Sequence, residues 1–280
     1  MTKNNTSGNE QEFRIKPFLK WAGGKFQIIS KIRSSLPEGN RLIEPFLGSG
    51  SVFLNTDYEQ FLLADINADL INLFQHLKVE KSDFIYFCKK FFNTESNSQS
   101  VYLSLRSEFN STNDSYLKSA LFLYLNRHSF NGLIRYNNSG KFNTAFGDYK
   151  QPYFPENEMF TFIQKAEKAE FRCADYKVIM KEAMKGDVIY CDPPYVPLSA
   201  SANFTKYHST IFGLEDQRQL VELAKELAAK GVPVIISNHD TAFIQSLYQG
   251  SRIISFDVQR NISCNGNART RAREVLALFD

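Results

Sequence analysis

The chain has 280 residues, of which 43% are hydrophobic and 22% are charged, and its formal net charge is +3. This composition excludes a largely disordered chain, and the length fits either two domains or one large domain with an insertion. The net charge is too small to identify a nucleic-acid-binding protein by itself, so the positions of the charges have to decide.

The N-terminal residues and the cysteines indicate the compartment. Residues 1–12 are rich in Thr, Asn, Ser and Glu without an apolar stretch, so we expect a disordered tail and no signal peptide. No apolar run approaches the roughly 20 residues that a membrane span needs. The cysteines (Cys88, Cys173, Cys191 and Cys264) include no C-x-x-C pair, which argues against a disulfide framework or a cysteine zinc site. We therefore expect a cytoplasmic protein.

Short apolar runs that end in turn residues predict the strands of an α/β domain. They lie at 41–44, 61–64, 187–191, 232–237 and 252–258, and 170–173 is also strand-like. Apolar residues at helical spacing predict helices at 67–76 and 214–230, the second with Gly231 as its C-cap. This alternation predicts a doubly wound fold with a mainly parallel sheet.

Residues 82–162 interrupt the alternation. The segment is rich in aromatic residues, predicts a helix at 116–125 and then becomes polar, with many Asn, Gly, Arg, Lys and Tyr. We interpret 82–162 as an inserted helical domain that contains a recognition loop. Residues 13–81 and 163–280 then form one catalytic domain.

A glycine-rich turn, Glu44-Pro45-Phe46-Leu47-Gly48-Ser49-Gly50-Ser51, follows the first predicted strand. Its glycines let a ligand approach the backbone closely. Phe53 stands where a dinucleotide fingerprint needs a small third residue, which disfavours a nicotinamide-dependent dehydrogenase, and no P-loop motif is present. An ordinary glycine turn of an α/β domain remains the alternative.

Asp65 ends the next predicted strand, roughly 20 residues after the start of the glycine turn. A carboxylate at this place can accept hydrogen bonds from a ribose diol. The alternative is a helix N-cap, formed either by Asp65 or by Asn67.

The most specific motif is Asp192-Pro193-Pro194-Tyr195, directly after an apolar strand. The prolines lack N–H donors, so the turn presents mostly acceptors, and Tyr195 adds a flat ring. Acceptors beside a ring suit the exocyclic amino group of a planar base. The alternative is a proline-terminated strand with a surface tyrosine.

The segment Phe18 to Lys25 contains the only tryptophan, Trp21, with two glycines and two lysines. Trp21 could line a cofactor pocket, and Lys25 could meet a carboxylate. The alternative is that Trp21 anchors the N-terminus on the core.

Taken together and in this order, these motifs resemble the DNA adenine-N6 methyltransferases of the Dam type, which carry the D-P-P-Y motif of the D12 class. Residues 123–132, 153–155 and 236–241 add to the resemblance, which runs from about residue 16 to the C-terminus. It implies the S-adenosylmethionine-dependent methyltransferase fold and double-stranded DNA as the partner, with no membrane and no obligate protein partner. It also implies that the enzyme is associated with the nucleoid through DNA.

The resemblance further implies S-adenosylmethionine as methyl donor, with S-adenosylhomocysteine as product and without a metal; the four histidines show no ligand spacing. The cofactor-binding residues that it implies are Trp21, Ala22, Gly23, Lys25, Glu44, Pro45, Phe46, Gly48, Gly50, Ser51, Asp65, Ile66, Tyr176 and Asp192.

The chemistry expected of such an enzyme assigns roles to the turn. The Asp192 carboxylate and the Pro193 carbonyl accept hydrogen bonds from the adenine amino group and stabilise the positive charge that builds on it. Pro194 stiffens the turn, and Tyr195 stacks on the base after it has left the duplex.

The insert is the expected DNA reader, with a solvated basic loop as the alternative. Its mixture of ring, amide, apolar and guanidinium groups suits contacts to bases and phosphates. The DNA-binding residues implied are Lys20, Arg106, Arg127, Phe130, Asn131, Leu133, Arg135, Asn137, Ala145, Tyr149, Lys150, Ser199 and Asn203. In the family, Lys20 and the loop contact the target bases, and the phosphate-contacting positions are resembled by Arg106, Arg127, Asn137 and Lys150.

The resemblance implies GATC as the target. Three positions depart from the family pattern: Phe130 replaces a common tyrosine, Ala145 a proline and Asp148 an arginine. We expect GATC specificity with weaker binding or a changed flanking preference. The alternatives are a restriction-modification methyltransferase with another target, a different substrate such as cytosine or RNA adenine, and a non-catalytic DNA-binding protein on the same fold.

Overall fold

The computed structural model describes residues 14–195, 212–259 and 271–280. The expected tail at 1–12 and two expected DNA contacts, Ser199 and Asn203, lie outside the described residues.

The described strands form one seven-stranded sheet in the order β3-β2-β1-β4-β5-β7-β6. All the described strands run in the same direction except β7, which is antiparallel to both of its neighbours. The predicted α/β fold with a mainly parallel sheet is therefore confirmed. The strands are β1 (Arg41–Glu44), β2 (Gln60–Asp65), β3 (Ala169–Cys173), β4 (Asp187–Cys191), β5 (Val234–His239), β6 (Arg252–Gln259) and β7 (Arg271–Phe279).

Strand β7 is not among the strands that the sequence predicted. Its residues Arg271–Phe279 are mostly Arg, Ala, Glu and Leu, which favour helices when considered alone. The strand forms because it fills the gap between β5 and β6, where Val275 and Leu276 are buried on opposite faces of the sheet.

Helices cover both faces of the sheet. On one face lie α1 to α6, and on the other α7 to α9. The helices are α1 (Ile29–Ser35), α2 (Ser51–Leu54), α3 (Ala68–Lys89), α4 (Gln99–Ser111), α5 (Ser115–His128), α6 (Glu156–Ala166), α7 (Tyr176–Lys181), α8 (Leu214–Ala228) and α9 (Ala242–Leu247).

The strands are buried on both faces because successive side chains point to opposite sides. Leu42 contributes to the core under α1 to α6, and Ile43, its neighbour, to the core under α7 to α9. This two-sided burial explains why the parallel strands have continuous apolar runs in the sequence.

The predicted helices are present, but one is longer than expected. The helix predicted at 67–76 is the first half of α3, which continues to Lys89 with an interruption at Lys81, where φ is 50°. Helix α5 covers the prediction at 116–125. None of the described helices is both long and apolar enough to cross a membrane.

An aromatic cluster joins the sheet to the helices around it. Phe162 of α6 lies 4.9 Å from Phe74 and 5.8 Å from Phe53, measured between ring centroids. It also contacts Phe18 at 5.2 Å and Phe171 at 5.7 Å. The core of the N-terminal segment, the sheet and the α3–α6 face is therefore continuous.

We expect Phe162→Ala to lower the free energy of unfolding by about 3–5 kcal/mol, because it opens a cavity among four rings. Chemical denaturation followed by circular dichroism measures this loss. Val79→Ala, at an exposed position of α3, serves as the control and should change stability by about 0.5 kcal/mol or less. Equal losses in the two variants would contradict the central place of the cluster.

Candidate active site

The candidate site lies at the carboxyl ends of the parallel strands, the edge at which open α/β sheets bind ligands. Strand β1 ends at Glu44 before the glycine turn, and β2 ends at Asp65. Strand β4 ends at Cys191 before the D-P-P-Y turn, and β5 ends at His239. Because β1 pairs with both β2 and β4, the separate motifs of the sequence meet at one edge.

Asp65 fastens the glycine turn to the sheet. Its Oδ2 accepts a hydrogen bond of 3.0 Å from the Gly48 N–H, and its Oδ1 accepts one of 2.9 Å from the Asn67 N–H. Burial raises the pKa of Asp65, and the backbone hydrogen bonds oppose this shift. Helix α3 is capped instead by Asn67, whose Oδ1 accepts from the Leu70 N–H. The helix N-cap, which the sequence assigned to either Asp65 or Asn67, is therefore formed by Asn67.

Trp21 lies against the same turn. Gly48 has φ of 51°, a conformation that L side chains rarely adopt, and a Cβ at this position would stand 2.8 Å from the Trp21 Nε1 atom. The indole and the backbone of the turn therefore approach each other as closely as only glycine allows. Phe18 is almost fully buried and anchors the N-terminal segment, while Trp21 stays partly exposed.

Aromatic side chains surround Phe46 of the glycine turn at this edge of the sheet. Phe46 of the turn stacks on Tyr176 of α7 at 5.3 Å between centroids, and Phe212 meets Phe46 edge-on at 5.5 Å. Ile66, directly after Asp65, is 60% exposed. Flat and apolar groups thus stand next to the acidic end of β2.

Lys25 forms an ion pair with the D-P-P-Y turn. Its Nζ lies 2.9 Å from Asp192 Oδ1, donates to the Gly23 carbonyl at 2.7 Å and lies 4.5 Å from the centre of the Tyr195 ring. The lysine is 7% exposed. The prediction that Lys25 meets a carboxylate is confirmed, and its ammonium shows that this place accepts a cationic N–H donor beside a ring.

Glu44 is a second carboxyl group near Asp192. It is 2% exposed, and its Oε1 has no hydrogen-bond partner among the described residues. Burial raises the pKa of Glu44 well above its ordinary value, and the charge of Asp192 adds to the shift. The end of β1 thus holds a buried polar atom without a partner.

The remaining residues of the turn 44–51 are close-packed. Pro45 is buried, and Ser51 begins α2 with its hydroxyl 3.2 Å from that of Ser49. Gly50 has φ of 73° and provides the N-cap of α2. Ala22, by contrast, is exposed, as is its neighbour Gly23.

The predicted recognition loop folds back on itself near the active site. Ser129 pairs with Phe146, and Tyr136 pairs with Phe142. This folding leaves predicted base-contacting residues at the surface; they are Phe130, Asn131, Leu133, Arg135 and Ala145. Phe130 is 55% exposed, which is unusual for a phenylalanine.

Lys20 is held next to this loop. The side chain of Asn126 accepts from the Lys20 N–H at 2.9 Å and donates to the Lys20 carbonyl at 2.7 Å. The Lys20 ammonium lies 4.3 Å from the centre of the Tyr149 ring, and the Tyr149 hydroxyl accepts from the Asn131 N–H at 2.8 Å. The structure thus brings Lys20 together with two predicted DNA-binding residues, Asn131 and Tyr149, that lie more than a hundred positions further along the chain.

The predicted phosphate-contacting residues have different surroundings. Lys150 is exposed, while Asn137 shapes a turn by accepting from two backbone N–H groups. Arg106 donates to the Thr144 carbonyl at 3.0 Å. Arg127 is 9% exposed and donates to the Tyr153 carbonyl at 2.9 Å, so it has a structural role, and a contact with phosphate stays a prediction.

Asp148 adopts a left-handed conformation, with φ of 49°. Asp and Asn tolerate this region better than other side chains. The arginine of the family pattern would be strained in this backbone. The departure at position 148 therefore matters for the backbone conformation as well as for the charge.

Comparison with known proteins decides the family. Residues 21–262 match the profile of the D12 class N6 adenine-specific DNA methyltransferases. The DNA adenine methylase of Escherichia coli strain K12 is 48% identical over 94% of this chain and 95% of its own, and that of Salmonella typhimurium LT2 gives the same values. The Vibrio cholerae O1 El Tor enzyme of the same name is 49% identical over 94% of this chain and 96% of its own.

The chain belongs to the D12 class of N6 adenine-specific DNA methyltransferases. Among solved structures, a C-terminal domain of precorrin-6Y C5,15-methyltransferase from Rhodobacter capsulatus overlaps 95% of the chain at 8% identity, with a TM-score of 0.42. This overlap is too loose to carry an argument about function.

Three side chains of the methyltransferase site escaped the sequence analysis. The Tyr195 hydroxyl donates to Glu274 Oε2 at 3.2 Å, and the Tyr195 ring meets His239 edge-on at 4.7 Å. Ser237 donates to Asp192 Oδ1 at 2.9 Å. His239 and Ser237 lie in the segment 236–241, whose resemblance to the family is a signal in the sequence. Glu274 belongs to β7, which was not predicted.

Burial raises the pKa of Tyr195 well above its ordinary value, and the neighbouring carboxylates of Asp192 and Glu274 add to the shift. The tyrosine is therefore a neutral hydrogen-bond donor at neutral pH. Within the described residues, no cluster of His, Cys, Asp and Glu could hold a metal ion.

We expect Asp65→Ala to weaken S-adenosylmethionine binding by about tenfold or more, because it removes a charged acceptor and releases the glycine turn. Isothermal titration calorimetry measures the affinity. The matched control is Asn67→Ala, which removes the N-cap of α3 and costs about 1 kcal/mol of stability but leaves the turn attached. Unchanged affinity in Asp65→Ala would refute a role of this carboxylate in cofactor binding.

Proposed function

We propose that this methyltransferase transfers a methyl group from S-adenosylmethionine to N6 of adenine in GATC sites of double-stranded DNA. The observation that carries the proposal is the Lys25 ammonium between Asp192 Oδ1 and the Tyr195 ring. An adenine amino group presents the same kind of N–H donor, attached to a flat ring. We infer that the target adenine enters this place and that Lys25 gives way to it.

The residues at the sheet edge fit S-adenosylmethionine. The turn at Gly48 leaves no room for a Cβ beside Trp21, so the indole packs directly on the backbone of the turn and suits one wall of the cofactor pocket. Asp65 keeps accepting capacity for a ribose diol, since each carboxylate oxygen can accept more than one hydrogen bond. The buried Oε1 of Glu44, which has no hydrogen-bond partner in the described part of the chain, suits the polar end of the cofactor. When bound, S-adenosylmethionine supplies a methyl group activated by a sulfonium.

The catalytic turn prepares the nitrogen for attack. The lone pair of an adenine amino group is delocalised into the ring, which makes it a poor nucleophile. Hydrogen bonds from the amino group to the Asp192 carboxylate and the Pro193 carbonyl direct the lone pair towards the methyl group and stabilise the charge that develops. Pro193 and Pro194 hold these acceptors in place without offering competing N–H donors.

The base has to leave the duplex to reach this turn. Enzymes that act on a base commonly flip it into a pocket and stack it against an aromatic side chain. Tyr195 suits this role because Glu274 and His239 fix its ring. Phe130 is exposed on the recognition loop and suits the role of a wedge in the gap that the flipped base leaves.

GATC reading is supported by the group of side chains around Lys20. Lysine and arginine read guanine, and apolar groups contact the methyl group of thymine. Lys20 and Arg135 supply the first kind of contact, and Leu133 and Ala145 the second. Arg135 is already oriented, since its guanidinium donates to Asn143 Oδ1 at 2.7 Å.

A restriction digest tests the target. Plasmid DNA from a host without adenine methylation is incubated with the enzyme and S-adenosylmethionine, and is then exposed to a nuclease that cuts only unmethylated GATC. Full protection is the expected result. Complete cutting by an enzyme that still incorporates labelled methyl groups into the DNA would assign it another target sequence.

We expect Asp192→Ala to abolish methyl transfer while duplex binding stays nearly unchanged, because the carboxylate acts on the amino group and affinity comes mainly from phosphates. Incorporation of tritiated methyl groups and fluorescence anisotropy measure the two quantities. The control is Asp175→Ala, which removes the N-cap of α7 and should keep activity. Turnover of Asp192→Ala within tenfold of the wild type would contradict the assigned role.

We expect Arg135→Ala and Lys150→Ala to affect DNA binding in different ways. Loss of the base-reading arginine should relax discrimination at one base pair by about 1–3 kcal/mol. Loss of Lys150 should weaken binding to all sequences equally and reduce the salt slope by about one unit. Titrations on matched and mismatched duplexes at several salt concentrations compare them, and identical behaviour of the two variants would disprove the division.

A further inference from the structure

A buried chain of hydroxyl groups lies beneath the catalytic turn. Ser237 of β5 is fully buried, and its Oγ lies 2.9 Å from Asp192 Oδ1. The Tyr190 hydroxyl, from β4, lies 3.2 Å from the same Oγ, and the Cys191 carbonyl lies at 3.3 Å. We name these three side chains the hydroxyl relay: Tyr190 of β4, Ser237 of the adjacent strand β5, and Asp192 of the turn that follows β4.

The chemistry of the relay fixes the direction of its hydrogen bonds. An ionised carboxylate only accepts, so Ser237 donates its single proton to Asp192. The Ser237 oxygen then accepts from Tyr190, which must be the donor. Burial raises the pKa of Tyr190 well above its ordinary value, so this phenol keeps its proton. Each bond polarises the next and strengthens the one to the carboxylate.

The relay and the Lys25 ion pair meet Asp192 at the same oxygen, but they come from different parts of the fold. Lys25 also contacts Oδ1, at 2.9 Å, but its place is the one that the adenine amino group takes in the proposed function. Ser237 approaches from inside the sheet and stays in place when the base enters. It is therefore the partner that can orient Asp192 throughout the reaction.

We propose that Ser237, supported by Tyr190, is a positioning residue for methyl transfer: it holds the Asp192 carboxylate in the orientation that accepts the adenine amino group. This inference rests on the proposed function of Asp192. It gives a role to the segment 236–241, which resembles the family although none of its residues is assigned a contact with the cofactor or with DNA.

The test is the single-turnover rate of methyl transfer by Ser237→Ala at saturating S-adenosylmethionine and a saturating GATC duplex. We expect the rate to fall by about 10- to 100-fold, since a hydrogen bond to a charged group is lost at the reacting centre. KM for DNA and calorimetric affinity for the cofactor should stay near the wild-type values. A rate within twofold of the wild type, or a loss that appears only in cofactor or DNA affinity, would overturn the proposal.

A second variant separates positioning from stability. Ser237→Ala leaves the Tyr190 hydroxyl buried without an acceptor, which destabilises the fold by itself. The double variant Tyr190→Phe/Ser237→Ala removes both polar groups, so its unfolding midpoint should move back towards the wild type while the rate stays low. Recovery of the rate together with the midpoint would mean a purely structural role.

Two reference variants complete the design. Ser119→Ala removes another buried serine hydroxyl, one without a hydrogen-bond partner among the described residues, and should keep the wild-type rate. Asp192→Ala tests the proposed function itself. If Asp192→Ala keeps a rate within tenfold of the wild type, the assigned role of Asp192 is wrong; if it is inactive while Ser237→Ala is fully active, only the relay is wrong.

Discussion

The ion pair between Lys25 and Asp192 depends on most of the architecture of this methyltransferase. Its two partners lie far apart in the sequence, and they meet only because β4 lies beside β1 and the N-terminal segment crosses the end of both strands. An ion pair with little access to water is costly to form, and similar pairs in other proteins can be replaced by apolar groups without loss of stability. The pair therefore adds little to the stability of the fold, and we infer that its importance lies in the chemistry proposed for Asp192.

The N-terminal segment from Phe18 to Lys25 connects the parts of the site. Phe18 inserts into the aromatic core, and the backbone of Lys20 is bound by Asn126 of α5. Trp21 lies on the glycine turn, and Lys25 reaches the Asp192 carboxylate. A displacement of this segment would therefore disturb the proposed base reading, the glycine turn and the D-P-P-Y turn together.

Polar groups of the D-P-P-Y turn are satisfied from the sheet side. Ser237 of β5 donates to Asp192 and accepts from Tyr190 of β4, and Glu274 of β7 accepts a hydrogen bond from the Tyr195 hydroxyl. This arrangement gives the antiparallel end of the sheet a part in the site, since β5 and β7 pair residue by residue from Val234 with Phe279 to His239 with Glu274. The D-P-P-Y turn, which follows β4, is thus held by β5 and β7, which both lie on the same side of β4 in the sheet.

The sequence by itself determined the fold class, the family and the strand ends that carry Asp65 and Asp192, because apolar runs of parallel strands and the D-P-P-Y turn are local signals. Only the tertiary structure decided the remaining features. Asn67 caps α3 while Asp65 holds the turn, a choice that depends on where the Gly48 N–H points. The strand β7 forms from helix-favouring residues because it is enclosed between two other strands. Ser237 and Glu274 become site residues through strand pairing across the sheet. The resemblance at 236–241 marks the segment of Ser237, but the contacts themselves join distant parts of the chain and leave no local pattern in the sequence.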